Sequence, residues 1–395
     1  MLESNIDMGK SWLNKFYNIK KIKWRLRQPK KNSAIIYDLV GADVLLPYLN
    51  DFNCIVLHTR QEQYYFRPAL TALIKCFILQ KRLFTAYEDS FIRIVQPRLI
   101  ISFIDNNMDF HQIARRHPGI KTVLIQNGIR TKSMDLFGRI IPKIGGKVDH
   151  IFTFGSEISA YYAAYLQGDF HPSGSLISNM TPIGRQTKTD SLVFISQYSP
   201  DHQRLMRYDG QNISVREFYN SEMVVLPILS RWCQDNDKQL VISGTQDVLH
   251  RNAELEFFGA MIPNSEFLLV SKTSRSSSYN LIDQIRLFCF IDSTLGYEAL
   301  TRGARGVAIS VRAADLKDES FKFCWPRDIG NSGPFWTNST AYSEIEKVLT
   351  FALDSDQDTW NQAVAHTMGG VMEFDPDNSV LKEILSDLLN KPNEL

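Results

Sequence analysis

No Cys-x-x-Cys pair occurs in this chain of 395 residues, and its five cysteines, at 54, 76, 233, 289 and 324, never lie closer than 22 positions apart. Those spacings exclude a zinc ribbon and a redox pair, and free thiols suit a reducing cytoplasm. Cys54 and Cys289 fall inside apolar runs, as small core residues do. No stretch approaches the ~20 apolar residues of a transmembrane helix. The N-terminus lacks the apolar segment of a secretory signal. Net charge is nearly absent, with 44 Lys and Arg against 43 Asp and Glu. A surface gripping nucleic acid as a whole is therefore not expected. GxGxxG after the first strand, GxxxxGK[ST] and HExxH are missing, and the eight histidines show no ligand spacing. Asp235-Asn236-Asp237 has the form Asp-x-Asp, but it stands between a helix and a strand, where a solvated turn is expected. No cofactor and no metal site is expected.

One absence is local. From Met8 to Tyr37 there is no acidic residue, while Lys10, Lys15, Lys20, Lys21, Lys23, Arg25, Arg27, Lys30 and Lys31 are all basic. Trp12, Phe16 and Ile19 fall at helical spacing among them. A basic segment with aromatic anchors can lie on an anionic membrane surface or pack as a solvated helix on the next domain. Residues 1–32 are thus read as a basic amphipathic arm, with residues 8–31 the membrane-binding candidate.

Over the whole chain 44% of residues are hydrophobic and 22% charged, the composition of a globular protein. Beyond the arm, short continuous apolar runs alternate with helical patterns: Ala34–Tyr37, Cys54–Leu57, Leu99–Ile104, Thr122–Ile125 and Ile151–Phe154 read as strands. A helix is expected from there through Leu166. A Gly/Ser/Pro-rich segment, Phe170–Gly184, interrupts the alternation. It restarts with strands at Leu192–Ile195, Leu240–Ser243, Phe267–Val270, Leu287–Ile291 and Gly306–Ser310. Such runs mark parallel sheets covered on both faces. The reading is an α/β chain of two Rossmann-like halves: residues 33–170 and 185–340, with a cleft between them and helices over 341–395.

In open α/β sheets ligands sit beyond the carboxyl ends of strands. The sharpest strand end is Phe290-Ile291-Asp292-Ser293-Thr294-Leu295-Gly296-Tyr297-Glu298. Ser293 or Thr294 can cap the helix that starts there, and its exposed amides and dipole favour an anion. Gly296 leaves room for a ligand or for a close strand, and Glu298 lies one turn further on, within reach of a ribose hydroxyl. Asp105 and, as runner-up, Asp38 end strands of the first half. A carboxylate there can deprotonate an acceptor, attack an anomeric carbon, or simply cap the next helix. Gln126-Asn127-Gly128 ends the next strand, and Asn127 and Arg130 can contact an acceptor or a sugar carboxylate. Ser243-Gly244-Thr245 can touch a base or phosphates, or form a plain turn. Ser196-Gln197 is a weaker candidate of the same kind.

Tyr297-Glu298-Ala299-Leu300 with Gly303 resembles the Glu-Ala-hydrophobic-x-x-Gly segment of GT-B glycosyltransferases. The longer run Asp292–Leu300, Ile104-Asp105-Asn106 and Ile125–Arg130 resemble strand-end motifs of bacterial O-antigen and capsule transferases, as do Gly174-Ser175 and Gly333-Pro334-Phe335-Trp336. The resemblance covers roughly residues 33–340. It implies a GT-B-like fold and a metal-independent glycosyltransferase acting from a nucleotide sugar onto a glycan or lipid-linked acceptor. Its place would be cytoplasmic, on the inner face of the membrane. It implies donor contacts at Asp292, Ser293, Thr294, Gly296 and Glu298, to which the strand end adds Ser243 and Gly244 as candidates, and acceptor or sugar contacts at Asn106, Gln126, Asn127 and Arg130. Catalysis is assigned to Asp105 or Asp38. A CMP-activated acidic keto sugar is one candidate donor, whose carboxylate Arg130 could pair with. Many retaining enzymes of the group carry a second Glu eight positions before the first; here Phe290 stands there. A nucleotide-sugar epimerase on the same scaffold and a non-catalytic membrane-associated assembly subunit are the alternatives.

Overall fold

The computed structural model describes residues 22–390 apart from 61, 80–81, 133–144, 185–187, 202–203 and 209–210. Most of the basic arm therefore lies outside the described residues. The strands, in chain order, are β1 (Lys23–Arg25), β2 (Ala34–Tyr37), β3 (Cys54–Leu57), β4 (Gln63–Tyr65), β5 (Leu99–Ser102), β6 (Lys121–Ile125), β7 (Gly146–Thr153) and β8 (Leu166–Pro172). They continue as β9 (Lys188–Ile195), β10 (Leu205–Tyr208), β11 (Gln211–Ser214), β12 (Gln239–Ser243), β13 (Phe267–Val270), β14 (Ile285–Phe290), β15 (Gly306–Ile309) and β16 (Trp336–Thr337). Two six-stranded sheets result, ordered β3-β2-β5-β6-β7-β8 and β13-β12-β9-β14-β15-β16. Every neighbouring pair in both is parallel. This is the two-sheet, GT-B-like architecture the sequence leads one to expect.

Strand alternation explains why both faces of the first sheet are covered. Ile35, Tyr37, Ile100 and Leu124 point to one face, where Tyr87 and Phe91 of the helix Leu83–Val95 meet them. Ile36, Ile101, Val123 and Ile125 point to the other. There they meet the helix Ala42–Leu49 and Leu381, Leu385 and Leu389 of the helix Ser379–Asn390. With side chains alternating at period two, only a run apolar at every position can fill both layers. The spacing 381, 385, 389 puts three leucines on one stripe of the last helix. The chain thus returns from the second half to cover the first. Asn378 fixes that return by donating to Tyr48 Oη at 2.7 Å and to the Leu176 carbonyl at 3.1 Å.

Three sequence expectations need correction. The helix expected through Leu166 ends at Ala163, and an edge strand, β8, runs from Leu166 into the segment read as interruption, where the short helix Leu176–Met180 follows it. Its polar residues, Gln167, Asp169 and His171, hide the strand because an edge needs no apolar face toward solvent. Gly168 sits where a Cβ would come within 1.9 Å of the Val148 carbonyl, so the pairing demands a glycine. The strand expected to reach Ile104 stops at Ser102, whose hydroxyl accepts from the Ile104 amide at 3.0 Å and bends the chain.

In each sheet the order reverses between the first strand and its later neighbour: β2 and β5 in one, β9 and β14 in the other. Crevices open at the carboxyl ends of such pairs. The two crevices face each other, and the Ile129 amide of the first half donates to Thr294 Oγ1 of the second at 3.0 Å.

Candidate active site

Thr294 is the point about which the site is built. It opens the helix Thr294–Thr301 directly after β14, and a cavity lies on either side of it. The larger, about 640 Å³, is lined by Asp43, Asn127, Lys272, Arg275, Tyr279 and Glu298. The smaller, about 290 Å³, is lined by Asn106, Arg130, Gln197, Asp292, Arg312 and Lys322, with Trp325 at its wall. Asn106, Asn127, Arg130, Asp292, Thr294 and Glu298 are therefore brought together from both halves.

The helix head carries the first electrostatic feature. Ser293 is its N-cap in extended backbone, and its hydroxyl makes no capping hydrogen bond. The Thr294 hydroxyl, expected to cap, accepts instead from Ile129 across the cleft. First-turn amides have no intrahelical acceptor, so an anion is the natural complement here. Gly296 answers to packing: a Cβ there would lie 2.2 Å from the Phe290 ring, and both residues are buried. Phe290 belongs to the core, so it faces no sugar.

Glu298 is 5% exposed, and its Oε2 accepts from Tyr279 Oη at 2.6 Å. Burial raises its pKa, against hydrogen bonds from Ser175 and Tyr279. It remains on the wall of the larger cavity, where a sugar hydroxyl would find an acceptor. Lys272 and Arg275, just past β13, bring two cations to that wall. Arg275 pairs with Asp43 of the first half at 2.9 Å.

Arg312 dominates the smaller cavity. It is 1% exposed, with Nε donating to the Phe218 carbonyl at 3.0 Å and Nη1 to Gln197 Oε1 at 3.1 Å. Nη1 also meets Asp292 at 2.5 and 2.6 Å, and the guanidinium lies 4.5 Å over the Phe218 ring. Nη2 is buried and has no hydrogen-bond partner among the described residues. A buried guanidinium donor left open beside a cavity is suited to an anionic or hydroxylated ligand.

Several expected contacts lie elsewhere. Asp105, expected to face the cleft, is 1% exposed beneath Arg130, whose Nε donates to Oδ2 at 2.9 Å; Tyr162 Oη donates to the same oxygen at 2.7 Å. Its carboxylate holds Arg130 in place and lines neither cavity. Arg130 is further tied to Asn127 Oδ1, so a sugar carboxylate would have to compete with Asp105 for it. Asp38 accepts from the Val40 amide at 2.9 Å, Thr59 Oγ1 at 2.6 Å and Arg60 Nε at 3.1 Å, and knits a turn. Gln126 bridges the Phe154 amide and the Gly128 carbonyl, both at 2.9 Å. Ser243 and Gly244 belong to a turn held by the buried Glu254, which accepts from the Thr245 and Gln246 amides at 2.9 and 3.2 Å. Asp105, Asp38, Gln126, Ser243 and Gly244 line neither cavity.

Lys272, Arg275 and Arg312 are the contributors that the motif reading misses. The rule that selects strand ends identifies them, since Lys272 lies two residues past β13 and Arg312 three past β15. Their polar or ordinary surroundings form no motif that would single them out.

Behind Arg312, Glu222 is buried with Oε1 accepting from the Gln197 amide at 2.6 Å and Oε2 without a partner among the described residues. Desolvation pushes its pKa up to about 7. The unfolded chain ionises near 4.5, so this group's contribution favours folding most below 4.5 and is lost as pH rises to 7. Over that window the loss is about 3 kcal/mol at 1.36 kcal/mol per pKa unit. Glu222→Gln should match the parent's stability at pH 4.5 and exceed it at pH 8, as read by urea unfolding. Equal pH dependence of the two proteins would contradict this.

Among the described residues no three His, Cys, Asp or Glu side chains form a cluster that could hold a metal ion, and no helix is long and apolar enough to cross a membrane. No curated protein sequence matches the chain. Solved structures do. A "putative UDP-N-acetylglucosamine 2-epimerase" from Listeria monocytogenes superposes with a TM-score of 0.54 at 10% identity, covering 92% of this chain and 98% of that one. A Methanocaldococcus jannaschii UDP-GlcNAc 2-epimerase, in complex with UDP-GlcNAc and UDP, gives 0.51 at 10% identity, over 90% and 99%. At such identities the likeness is one of fold. Residues 123–389 match the family described as "putative O-antigen biosynthesis protein". That match runs from the middle of the first sheet to the returning helix, more than half of the sequence, and the chain belongs to this O-antigen biosynthesis family.

Proposed function

We propose that this protein is a glycosyltransferase of surface-polysaccharide assembly, taking a sugar from a nucleotide donor to a glycan or lipid-linked glycan. The observation that carries the reading is the cleft itself. A helix head, Lys272 and Arg275 surround one cavity, and Arg130, Arg312 and Lys322 line a second beside it. A diphosphate at the helix head would leave its ribose near Glu298 and its sugar near Thr294, between the cavities. The acceptor would enter past Asn106 and Trp325. A nucleotide sugar bound to the M. jannaschii protein of this fold supports that class of occupant. The departing phosphate gains charge as the glycosidic bond breaks, and the helix dipole and two cations stabilise it without a metal. Asp105 acts through Arg130 in this scheme and is a positioning residue.

The test is a panel of CMP-, UDP-, GDP- and dTDP-sugars scored by thermal stabilisation, since a ligand that binds the folded form raises its apparent stability. At least one donor should raise Tm, and Ser293→Ala with Thr294→Ala should reduce that rise while leaving the unliganded Tm nearly unchanged. A panel without any stabilising nucleotide sugar, or a rise unaffected by the double substitution, contradicts the assignment.

A further inference from the structure

The helix Phe66–Leu79 is amphipathic the wrong way round. Its small residues face the protein: Ala72 is buried and packs with Ala86 and Tyr87 of the neighbouring helix. Its large apolar residues face solvent: Phe66, Leu70, Leu73, Ile74, Phe77 and Ile78 are 47–87% exposed. Positions 66, 70, 73, 74, 77 and 78 form one stripe, about 18 Å long at 1.5 Å per residue. A soluble helix gains nothing from such a face, and a contiguous apolar patch of this kind marks a docking surface. The patch continues beyond the helix. Trp24 of β1 is 51% exposed, lies 5.7 Å from Tyr64 of β4, and with Ile22 and Leu83 lines an apolar groove of about 470 Å³ beside the stripe. Leu26 is 82% exposed.

Charge decides what covers this surface. Residues 22–37 and 63–87, which build it, contain no acidic residue. Lys23, Arg25, Arg27, Lys30, Lys31, Arg67 and Arg82 are exposed among them. A second copy would bring the same cations face to face, because a two-fold interface apposes a patch to itself. The preceding segment of this chain is itself basic, with Lys10, Lys15, Lys20 and Lys21. Neither occupant complements the rim. An anionic lipid surface complements both parts, taking the apolar stripe among its acyl chains and the cations at its headgroups.

We propose that the helix Phe66–Leu79, with Trp24 and Leu26, is the face by which this protein docks on an anionic bilayer. Vesicle binding requires no sugar donor, so the proposal stands or falls independently of the transferase reading.

The experiment is co-sedimentation of the full chain with phosphatidylcholine vesicles, with and without phosphatidylglycerol, across a salt series. Binding to the anionic vesicles is expected at low salt and should weaken as salt rises. Phe77→Glu with Ile78→Glu, at positions 87% and 72% exposed, should reduce partitioning about tenfold or more with the circular dichroism unchanged. Lys30→Glu with Lys31→Glu, a change outside the helix, should flatten the salt dependence. Failure of the full chain to bind anionic vesicles overturns the proposal, as does binding indifferent to Phe77 and Ile78. A dimer in sedimentation velocity that the same two substitutions dissolve would assign the face to a second copy. A chain lacking residues 1–21 that binds vesicles better than the full chain would assign it to the arm.

Discussion

Replacing both Lys272 and Arg275 by alanine should weaken nucleotide-sugar binding about a hundredfold, taking 1.5–3 kcal/mol for each hydrogen bond to a charged group, discounted for their exposure. Both side chains stand on the wall of the larger cavity, opposite the head of the helix Thr294–Thr301. Neither belongs to the core, so Tm without ligand should be unchanged. Arg275 is already paired with Asp43 of the first half, and a donor phosphate would take Asp43's place. Asp43→Asn should therefore move affinity the other way, tightening it severalfold. Titration calorimetry of the three proteins with the donor that best stabilises the parent checks this. A parent-like affinity in the double variant would remove the cations from the donor site.

The largest effect on stability is expected at Arg302. Its side chain is fully buried and pairs with Asp283 at 2.6 Å, Asp283 being 3% exposed. It also donates to the carbonyls of Ser178, Thr181 and Pro182 at 2.9, 2.8 and 3.1 Å. The Gly184 amide donates to the same Asp283 oxygen at 3.0 Å. Arg302 thus binds the segment joining the two sheets to the helix that carries Glu298. Arg302→Met would leave the Asp283 carboxylate buried without its partner, which costs about 3–5 kcal/mol. Asp283→Asn in the same chain should recover part of that loss, since the stranded charge is then gone. Urea unfolding of the single and double variants gives the answer. Losses that simply add would mean that the two side chains do not act as a pair.

Most of the fold was legible because buried parallel strands leave little choice of residue. Ala34–Tyr37, Cys54–Leu57, Leu240–Ser243 and Phe267–Val270 are apolar at nearly every position, and strands form there. Strands that escaped notice are those whose surroundings do not require apolar residues. β8 runs along a sheet edge, β10 and β11 make an isolated hairpin, and β16 has two residues. The candidate site was legible where a strand end and a helix start coincide, at Thr294 and Glu298. It was misread where a polar residue at a strand end serves the protein itself. Asp105 and Asp38 occupy positions from which a carboxylate could face a ligand, but in the fold each is surrounded by its own donors. No pattern in the sequence tells those two cases apart, because the deciding partners, Arg130, Tyr162 and Thr59, are brought in from 21 to 57 residues away. Arg312 shows the converse. Its open Nη2 depends on Phe218, Gln197 and Asp292, which meet only once the second sheet is closed.

The proposed sugar transfer from a nucleotide donor is open to a direct measurement. The purified chain should be incubated with the nucleotide sugar that stabilises it most, together with a bacterial glycolipid extract, and both fractions followed by mass spectrometry. The predicted result is a lipid-linked glycan heavier by one sugar residue, appearing in step with free nucleotide and absent without the extract. Conversion of the nucleotide sugar to an isomer in the absence of extract, or a donor that remains intact beside an unchanged lipid fraction, would contradict it.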